Sequence, residues 1–254
     1  MEFKKTQILD ATSNSVSLRS GRKSERTLIF DVETTGLPQK SSDLNKQPFI
    51  IQISFIVINV IKINNNISEY NILYEFNHYV RIENHIEISK KITEITGITK
   101  EKCINEGVPI TFVLYEFYKE YIKADCVVSH NIEFDSKMIL FELERNYINM
   151  MELGCQTPYA VFNPMFNRVN DIKIYCTMSE GKDLTNIVVS FKQSTATSNK
   201  NNTQPPPSTR TYKKNPKLIE LYRHLYPDNC EPIGLHDSMV DTRVCMECYI
   251  KMIL

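Results

Sequence analysis

Apolar residues follow two different periods along this chain, and the order of the periods predicts a layered α/β fold. Short or alternating apolar runs predict strands at 27–32, 49–63, 70–82, 126–129 and 171–176, with a turn at the asparagines 64–66. Apolar residues at helical spacing predict helices at 110–121, 132–147, 218–225 and 238–253. A meander of strands followed by alternating helices and strands is typical of a mixed sheet covered by helices.

Two polar segments interrupt this pattern. Residues 1–26 are polar and basic without a helical or strand period, which predicts a disordered tail, or else an arm that contacts nucleic acid or a partner. The segment 193–214 contains Pro205–Pro207 among Ser, Thr and Asn, and we interpret it as a loop inserted into a single domain spanning 27–254. The loop either is solvated or borders a substrate groove with its basic residues, which are Lys192, Lys200, Arg210, Lys213 and Lys214.

Composition narrows the class of protein. Thirty basic and thirty acidic residues give a formal net charge of zero, which excludes binding to nucleic acid by bulk charge but not by a local basic groove. No apolar run reaches the length of a membrane helix, and the first residues have no signal-peptide core. We therefore expect an intracellular protein, cytoplasmic or nuclear, with its seven cysteines as thiols. The pair Cys245 and Cys248 is interpreted as helix packing rather than a zinc or redox site.

The first candidate for chemistry is a pair of acidic residues at the end of the first strand. Asp31 and Glu33 are two positions apart, so their side chains point to the same face of the strand. Two carboxylates held together repel each other, and a cation between them relieves that repulsion. Oxygen ligands of this kind are those that Mg²⁺ or Mn²⁺ prefers.

Two later segments also carry polar residues at the edge of a predicted sheet element. In 127–135, Asn131 has the place of a helix N-cap and Asp135 follows on the first turns. In 235–243, His236 lies in a loop that enters a helix and Asp241 lies about one turn into that helix. Each segment alone is weak evidence, but the three in this order are much more specific.

Together these motifs resemble the DEDDh group of 3′→5′ exonucleases, which includes the proofreading subunit of DNA polymerase III and RNase T. DVETTG, SHNIEFD and HDSMVD match the three motifs, and the resemblance extends over about 27–253. It implies an RNase H-like fold of three layers, with a central mixed five-stranded sheet whose second strand is antiparallel. It also implies an enzyme that releases nucleoside monophosphates from the 3′ end of DNA.

The resemblance further implies a role for each acidic residue. Two Mg²⁺ or Mn²⁺ ions would be bound, with Asp31 contacting both, Glu33 and Asp241 completing the site of the ion nearest the attacking water, and Asp135 helping to hold the second. His236 would be the general base, and histidine suits proton removal near neutral pH. A pair of such ions activates water and stabilises both the entering and the leaving oxygen.

Substrate contacts are implied at three places. The backbone around Thr34 and Thr35 would contact the terminal nucleotide, and Leu37 and Phe134 would pack against its base or sugar. His130 and Asn131 would be close enough to touch a phosphate. Packing on apolar side chains tolerates any base, so little sequence specificity is expected.

Several alternatives stay open from the sequence. The substrate could be RNA rather than DNA, including very short oligoribonucleotides, although Thr34–Thr35 is more typical of proofreading-type members. The chain could act as a subunit beside a DNA polymerase. A nucleic-acid-binding protein without activity would be expected to lack a carboxylate, and all four are present. The sequence leaves the oligomeric state open.

Overall fold

A mixed sheet of five strands forms the centre of the protein, in a computed structural model that describes residues 22–63, 66–155, 157–192 and 209–254. Its strands are β1 (Arg22–Thr34), β2 (Ile50–Ile63), β3 (Asn66–Tyr79), β4 (Cys126–Ser129) and β5 (Lys173–Cys176). They lie in the order β3-β2-β1-β4-β5. Strand β2 is antiparallel to both neighbours, whereas β4 and β5 run parallel to β1. The predicted five-stranded mixed sheet with an antiparallel second strand is confirmed.

Helices cover both faces of this sheet among the described residues. They are α1 (Lys90–Thr96), α2 (Lys100–Glu106), α3 (Ile110–Tyr121), α4 (Ile132–Arg145), α5 (Tyr147–Glu152), α6 (Pro164–Val169), α7 (Thr177–Thr185), α8 (Leu218–Leu225) and α9 (Ser238–Ile253). Short 3₁₀ turns lie at Leu44–Lys46 and Pro158–Ala160. None of these helices is both long and apolar enough to cross a membrane.

The alternation of side chains along β1 and β2 explains the three layers. Leu28 and Phe30 point to one face, where they pack with buried residues of α3 and α4. Ile29 and Ile56 point to the other face, where they pack against buried residues of α9. The sheet is therefore buried between two helical layers, as the predicted fold requires.

The N-terminal boundary predicted from composition is wrong. Strand β1 begins at Arg22, so residues 22–26, which were assigned to the polar tail, pair with 59–63 of β2. Backbone pairing to a long neighbouring strand outweighs their polar side chains, and Arg26 also forms a salt bridge with Glu120. The tail prediction for residues 1–21 lies outside the described residues.

The predicted loop 193–214 is too long at its C-terminal end. Residues of β7 (Thr209–Lys213) pair antiparallel with β6 (Val188–Lys192) in a separate two-stranded sheet that the sequence pattern did not predict. Valine, threonine and aromatic residues, which favour strands, make up most of these two segments, and this explains the pairing. Residues 193–208 lie outside the described residues, as do Asn64 and Asn65 of the predicted turn.

Other boundaries differ by a few residues. The predicted helix 132–147 ends at Arg145, and Tyr147 begins the separate helix α5. Strand β3 ends at Tyr79, and the next residue, Val80, donates to the carbonyl of Ile51 at 2.9 Å and forms an isolated bridge with Val108.

A buried ion pair fixes the segment between β1 and β2. Arg145 bonds to the buried Glu142 at 2.8 Å and donates to the carbonyl oxygens of Leu44, Gln47 and Pro48 at 2.7, 2.8 and 3.0 Å. The other contact of Glu142 is the backbone N–H of Ile50, at 3.1 Å. One side chain therefore holds 44–50 against α4.

We predict that Arg145→Met destabilises the protein by about 3 kcal/mol, because it leaves a buried carboxylate without its partner. Chemical denaturation measured by circular dichroism gives the change in free energy of unfolding. Lys137→Met, at an exposed position of the same helix, is the matched control and should change that free energy by about 0.5 kcal/mol or less. Equal stability of the two variants would contradict this role of Arg145.

Candidate active site

The candidate site lies where one face of the sheet changes from apolar to polar. Asp31 and Glu33 of β1 share the face of Ile29, and they lie directly opposite Ser54 and Gln52 of β2. Pairing between β1 and β4 extends only from Thr27 to Ile29. The two strands separate beyond this point, so the acidic end of β1 has no neighbouring strand on that side.

A polar network fixes the start of α9 against this part of the sheet. Gln52 donates to Asp237 Oδ2 at 3.1 Å and accepts from the backbone N–H of Ser238 at 3.3 Å. Ser238 Oγ donates to the backbone carbonyl of Asp31 at 2.7 Å. Asp237 also caps the helix, with its Oδ1 3.0 Å from the N–H of Met239. These bonds set the register of α9 relative to β1, and with it the position of Asp241.

His236 is held beside Asp241 by a sharp turn. Gly234 and His236 both have positive φ, at 87° and 71°, so the chain reverses just before α9. The backbone N–H of His236 donates to Asp241 Oδ2 at 3.2 Å. Possible ligand atoms of Glu33, His236 and Asp241 all lie within 4.8 Å of one another. The structure therefore brings together residues that are more than 200 positions apart in sequence.

Asp135 reaches the same site from the opposite helical layer. It lies at the start of α4, is 3% exposed, and accepts a hydrogen bond from Ser129 Oγ at the end of β4. It also accepts one from the backbone N–H of Val32. That amide is on the part of β1 that lies beyond its pairing with β4. The predicted quartet of Asp31, Glu33, Asp135 and Asp241 thus converges.

Burial and mutual repulsion raise the pKa of every carboxyl in this quartet. Burial is the largest cause for Glu33, whose pKa rises to about 8, and repulsion by Asp241 and Asp135 adds to it. Burial likewise raises the pKa of Asp135 to about 7 and that of Asp241 to about 6. Burial and its three acidic neighbours raise the pKa of Asp31 well above the ordinary value. The site therefore disfavours four negative charges unless cations accompany them.

The donor set fits divalent cations. Among the described residues, no lysine or arginine forms an ion pair with any of the four carboxylates. Asp241 Oδ1 is buried without a hydrogen-bond partner, so one ligand atom is left over by the protein. Carboxylate oxygens are the ligands that Mg²⁺ and Mn²⁺ prefer. A metal would supply both the positive charge and the missing partner.

The residues predicted to contact the terminal nucleotide lie in the turn after β1. Thr34 is buried and its hydroxyl donates to the carbonyl of Gly36 at 2.7 Å. Thr35 pairs with Phe49 through its backbone N–H at 2.9 Å and through its hydroxyl, which accepts at 3.0 Å. Their side chains therefore fix the turn. Leu37 is 72% exposed, which leaves it free to pack against a base.

Both ring nitrogens of His130 are engaged within the protein. Its Nε2 donates to the carbonyl of Pro216 at 3.1 Å, so in the neutral ring Nδ1 accepts from the Thr177 hydroxyl at 3.0 Å. Burial lowers its pKa to about 4, so the ring is uncharged at neutral pH. The uncharged ring therefore links α7 to the segment just before α8, and its contact with a phosphate stays a prediction.

The other two predicted contacts flank Asp135. Asn131 has the N-cap position of α4, as predicted, but its exposed side chain makes no capping bond. Phe134 is half-buried and packs against the main core. The sequence reasoning missed Gln52, Ser54 and Ser238 as positioning residues. The signal for the first two was present, because polar residues in a strand as apolar as β2 need a partner.

Several known proteins are similar to this chain. A family model named RNase_T and described as "Exonuclease" matches residues 28–198. Among curated proteins, DNA polymerase III PolC-type of Streptococcus thermophilus is 31% identical over 121 residues, which is 48% of this chain and 7% of that protein. PolC-type polymerase of Streptococcus pyogenes is 31% identical over 119 residues, 47% of this chain and 7% of that protein. The chain thus spans a small part of the relatives it matches.

Solved structures share the fold. Exonuclease I of E. coli in complex with a dT13 oligonucleotide superposes with a TM-score of 0.56 at 17% identity, covering 89% of this chain and 40% of that one. Exonuclease I of Methylocaldum szegediense superposes with a TM-score of 0.52 at 14% identity, with coverage of 89% and 40%. The superpositions agree with the mixed five-stranded sheet and its helical layers.

The raised pKa values predict that the metal-free protein loses stability as pH rises. Ordinary carboxyls titrate near about 4, so the protonated forms favour the folded state below that pH. This stability is lost as pH rises through about 6, 7 and 8, where Asp241, Asp135 and Glu33 titrate in the folded protein. Thermal unfolding in EDTA should therefore give a lower Tm at pH 8.5 than at pH 5.5.

Two further measurements test whether the four carboxylates cause this loss of stability. Mn²⁺ should raise the Tm more at pH 8.5 than at pH 5.5, because it neutralises charges that exist only at the higher pH. Asp31→Asn should raise the Tm of the metal-free protein at pH 8.5 by about 2–4 °C per kcal/mol of repulsion removed, and should weaken the response to Mn²⁺. Asp228→Asn, at an exposed loop position, is the control. An effect of Mn²⁺ that is the same at both pH values would count against the quartet.

Proposed function

The chain belongs to the RNase_T exonuclease family, and from this premise we propose that it hydrolyses DNA from the 3′ end and releases nucleoside 5′-monophosphates. The observation that carries the proposal is the convergence of four carboxylates and His236 at the polar end of β1. The names of the relatives favour DNA over RNA, since the curated ones are DNA polymerases and the solved ones include complexes with DNA oligonucleotides.

The acidic residues define where the phosphodiester would bind. Divalent ions held by Asp31, Glu33, Asp135 and Asp241 would offset the charge of the phosphodiester and make the attacking water more acidic. Ser129 and the backbone N–H of Val32 hold Asp135 in one orientation, so this ligand is fixed before substrate arrives. The polar network at the start of α9 does the same for Asp241.

His236 would accept the proton of the attacking water. Its side chain is exposed, so both water and substrate can reach the ring, and its backbone is fixed to Asp241. A ring nitrogen of His236 comes within 4.8 Å of carboxylate oxygens of Glu33 and Asp241, so a base at His236 would lie beside the residues that would orient the water. Attack on phosphorus would then release the terminal nucleotide with its 5′-phosphate and leave a new 3′-hydroxyl.

The substrate end would lie in the turn after β1. Thr34 and Thr35 fix this turn through Gly36 and Phe49, and Arg145 holds the segment 44–50 from the other side. Exposed Leu37 would pack against the terminal base, with Asn131 and Phe134 on the α4 side of the site. Apolar packing of this kind is insensitive to the base, so little sequence preference is expected.

We predict 3′→5′ shortening of a 5′-labelled single strand in Mg²⁺ or Mn²⁺, with complete loss of activity in EDTA. Asp31→Ala should also abolish it, because Asp31 would be a ligand of both ions. Asp228→Ala is the control and should keep wild-type activity. Wild-type turnover by Asp31→Ala would refute the assignment of the site.

The same assay with matched DNA and RNA strands tests the substrate class. We expect the higher kcat/KM on DNA. A higher value on RNA would instead support an exoribonuclease that uses the same carboxylates. Activity that appears only when a polymerase is added would support a proofreading subunit.

We predict that His236→Ala lowers kcat by roughly 10²- to 10⁴-fold with little change in KM, the range expected for loss of a general base. Single-turnover rates in Mn²⁺ separate the chemical step from product release. His224→Ala, at an exposed position of α8, should behave as wild type. If His236→Ala retains the wild-type rate, another group removes the proton.

A further inference from the structure

The hairpin of β6 and β7 combines exposed aromatic rings with an excess of basic residues. Its strands and their flanks, 186–192 and 209–217, contain no acidic residue. The basic residues in these ranges are Lys192, Arg210, Lys213, Lys214 and Lys217. A surface of this charge is complementary to a polyanion.

One face of the hairpin carries the aromatic rings. Phe191 lies opposite Arg210, and Val189 lies opposite Tyr212, so these side chains share a face. The rings of Phe191 and Tyr212 are 46% and 53% exposed, with centroids 6.1 Å apart. We call Phe191, Arg210 and Tyr212 the hairpin platform.

Arg210 differs from the lysines that follow it. Lys213 pairs with Asp183 at 3.2 Å, and Lys214 pairs with Glu220 at 2.6 Å. Among the described residues, Arg210 is exposed and forms no ion pair or side-chain hydrogen bond. Its guanidinium group is therefore available to a phosphate beside the two rings.

Both ends of the hairpin are tied to the neighbourhood of the acidic quartet. His130 directly follows Ser129, which donates a hydrogen bond to Asp135. The ring of His130 bonds to Thr177 of α7 and to the carbonyl of Pro216. Helix α7 precedes β6, and Pro216 follows β7 by a few residues. Tyr212 is four positions from Pro216, so its backbone lies at most about 14 Å away. The hairpin platform is thus within a few nucleotides of the site.

We propose that the hairpin platform binds the single strand a few nucleotides upstream of the 3′ end. Bases stack on Phe191 and Tyr212, and Arg210 contacts a phosphate. Stacking on aromatic rings accepts any base, and an unpaired cation adds the electrostatic attraction that single strands require. This inference rests on the proposed function for its substrate, and it adds a second contact region outside the catalytic residues.

Binding without cleavage tests the platform separately from activity. The probe is a 5′-fluorescein-labelled dT12, and its anisotropy is measured with full-length protein carrying Asp31→Asn in Mg²⁺. Adding Phe191→Ala or Tyr212→Ala should in each case raise the Kd by about 5- to 150-fold, as expected for the loss of one stacked base. Adding Arg210→Ala should reduce the slope of log Kd against log salt by about 0.7.

Matched variants show whether the rings themselves matter. Phe191→Tyr with Tyr212→Phe keeps both rings and should keep the wild-type Kd. Val188→Ala, which removes an exposed side chain from the opposite face of the same hairpin, should also keep it. A normal Tm for each variant shows that it is folded.

Cleavage assays then distinguish the proposed binding by the hairpin platform from the proposed exonuclease activity. With the carboxylates intact, loss of both rings should lower the ratio of kcat/KM for a 15-mer to that for a trimer by at least tenfold. An unchanged Kd and an unchanged ratio would overturn the platform while leaving the exonuclease in place. Weaker binding by the ring variants of a chain that cleaves nothing would support the platform and overturn the proposed activity.

Discussion

Repulsion among four partly buried carboxylates is the constraint on which the rest of the structure depends. Glu33, Asp135 and Asp241 all raise the pKa of Asp31, and among the described residues no lysine or arginine forms an ion pair with the four carboxylates. The fold must therefore hold these groups together against their own charge. Hydrogen bonds from three directions do this. Ser129 and the backbone N–H of Val32 bond to Asp135. Gln52 bonds to the start of α9, and Ser238 bonds to the carbonyl of Asp31. A bound cation would relieve the repulsion that these hydrogen bonds have to oppose.

The sheet positions this site by a change of composition along a single face. Ile29 and Ile56 pack under α9, and the next residues on the same face are Asp31, Ser54, Glu33 and Gln52. The apolar part supplies the burial energy that fixes α9 on the sheet, and the polar part begins where β4 no longer pairs with β1. The apolar residues that pack under α9 and the polar residues of the candidate site are thus neighbours on the same two strands. Arg145 extends this framework to the turn that carries Thr35, since it binds the segment from which Phe49 pairs with that residue.

Much of the fold and part of the candidate site could be predicted from the sequence, because they depend on residues that are close together in the chain. Period-2 alternation places Asp31 and Glu33 on one face, and helical spacing gives the bounds of α3, α8 and α9. Convergence of Asp135 and Asp241 on Asp31 depends on how layers pack, and only resemblance to a family could supply it. The strand at 22–26 was missed because pairing with β2 overrides a polar composition. The ring contacts of His130 could not be predicted because its two partners, Thr177 and Pro216, are 47 and 86 positions away in sequence.

Strands β6 and β7 have a further consequence for how this protein can diverge. They bring Lys192 and Thr209 into register opposite each other, so the intervening chain leaves and returns at the same point. A change in the number of residues between Lys192 and Thr209 therefore need not change how segment 127–135 lies relative to segment 235–243. Closing a longer loop costs only about 0.6 kcal/mol for each doubling of its length. Low-complexity sequence can therefore lengthen or shorten there by replication slippage with little effect on folding, and the same position would accept an inserted reporter domain.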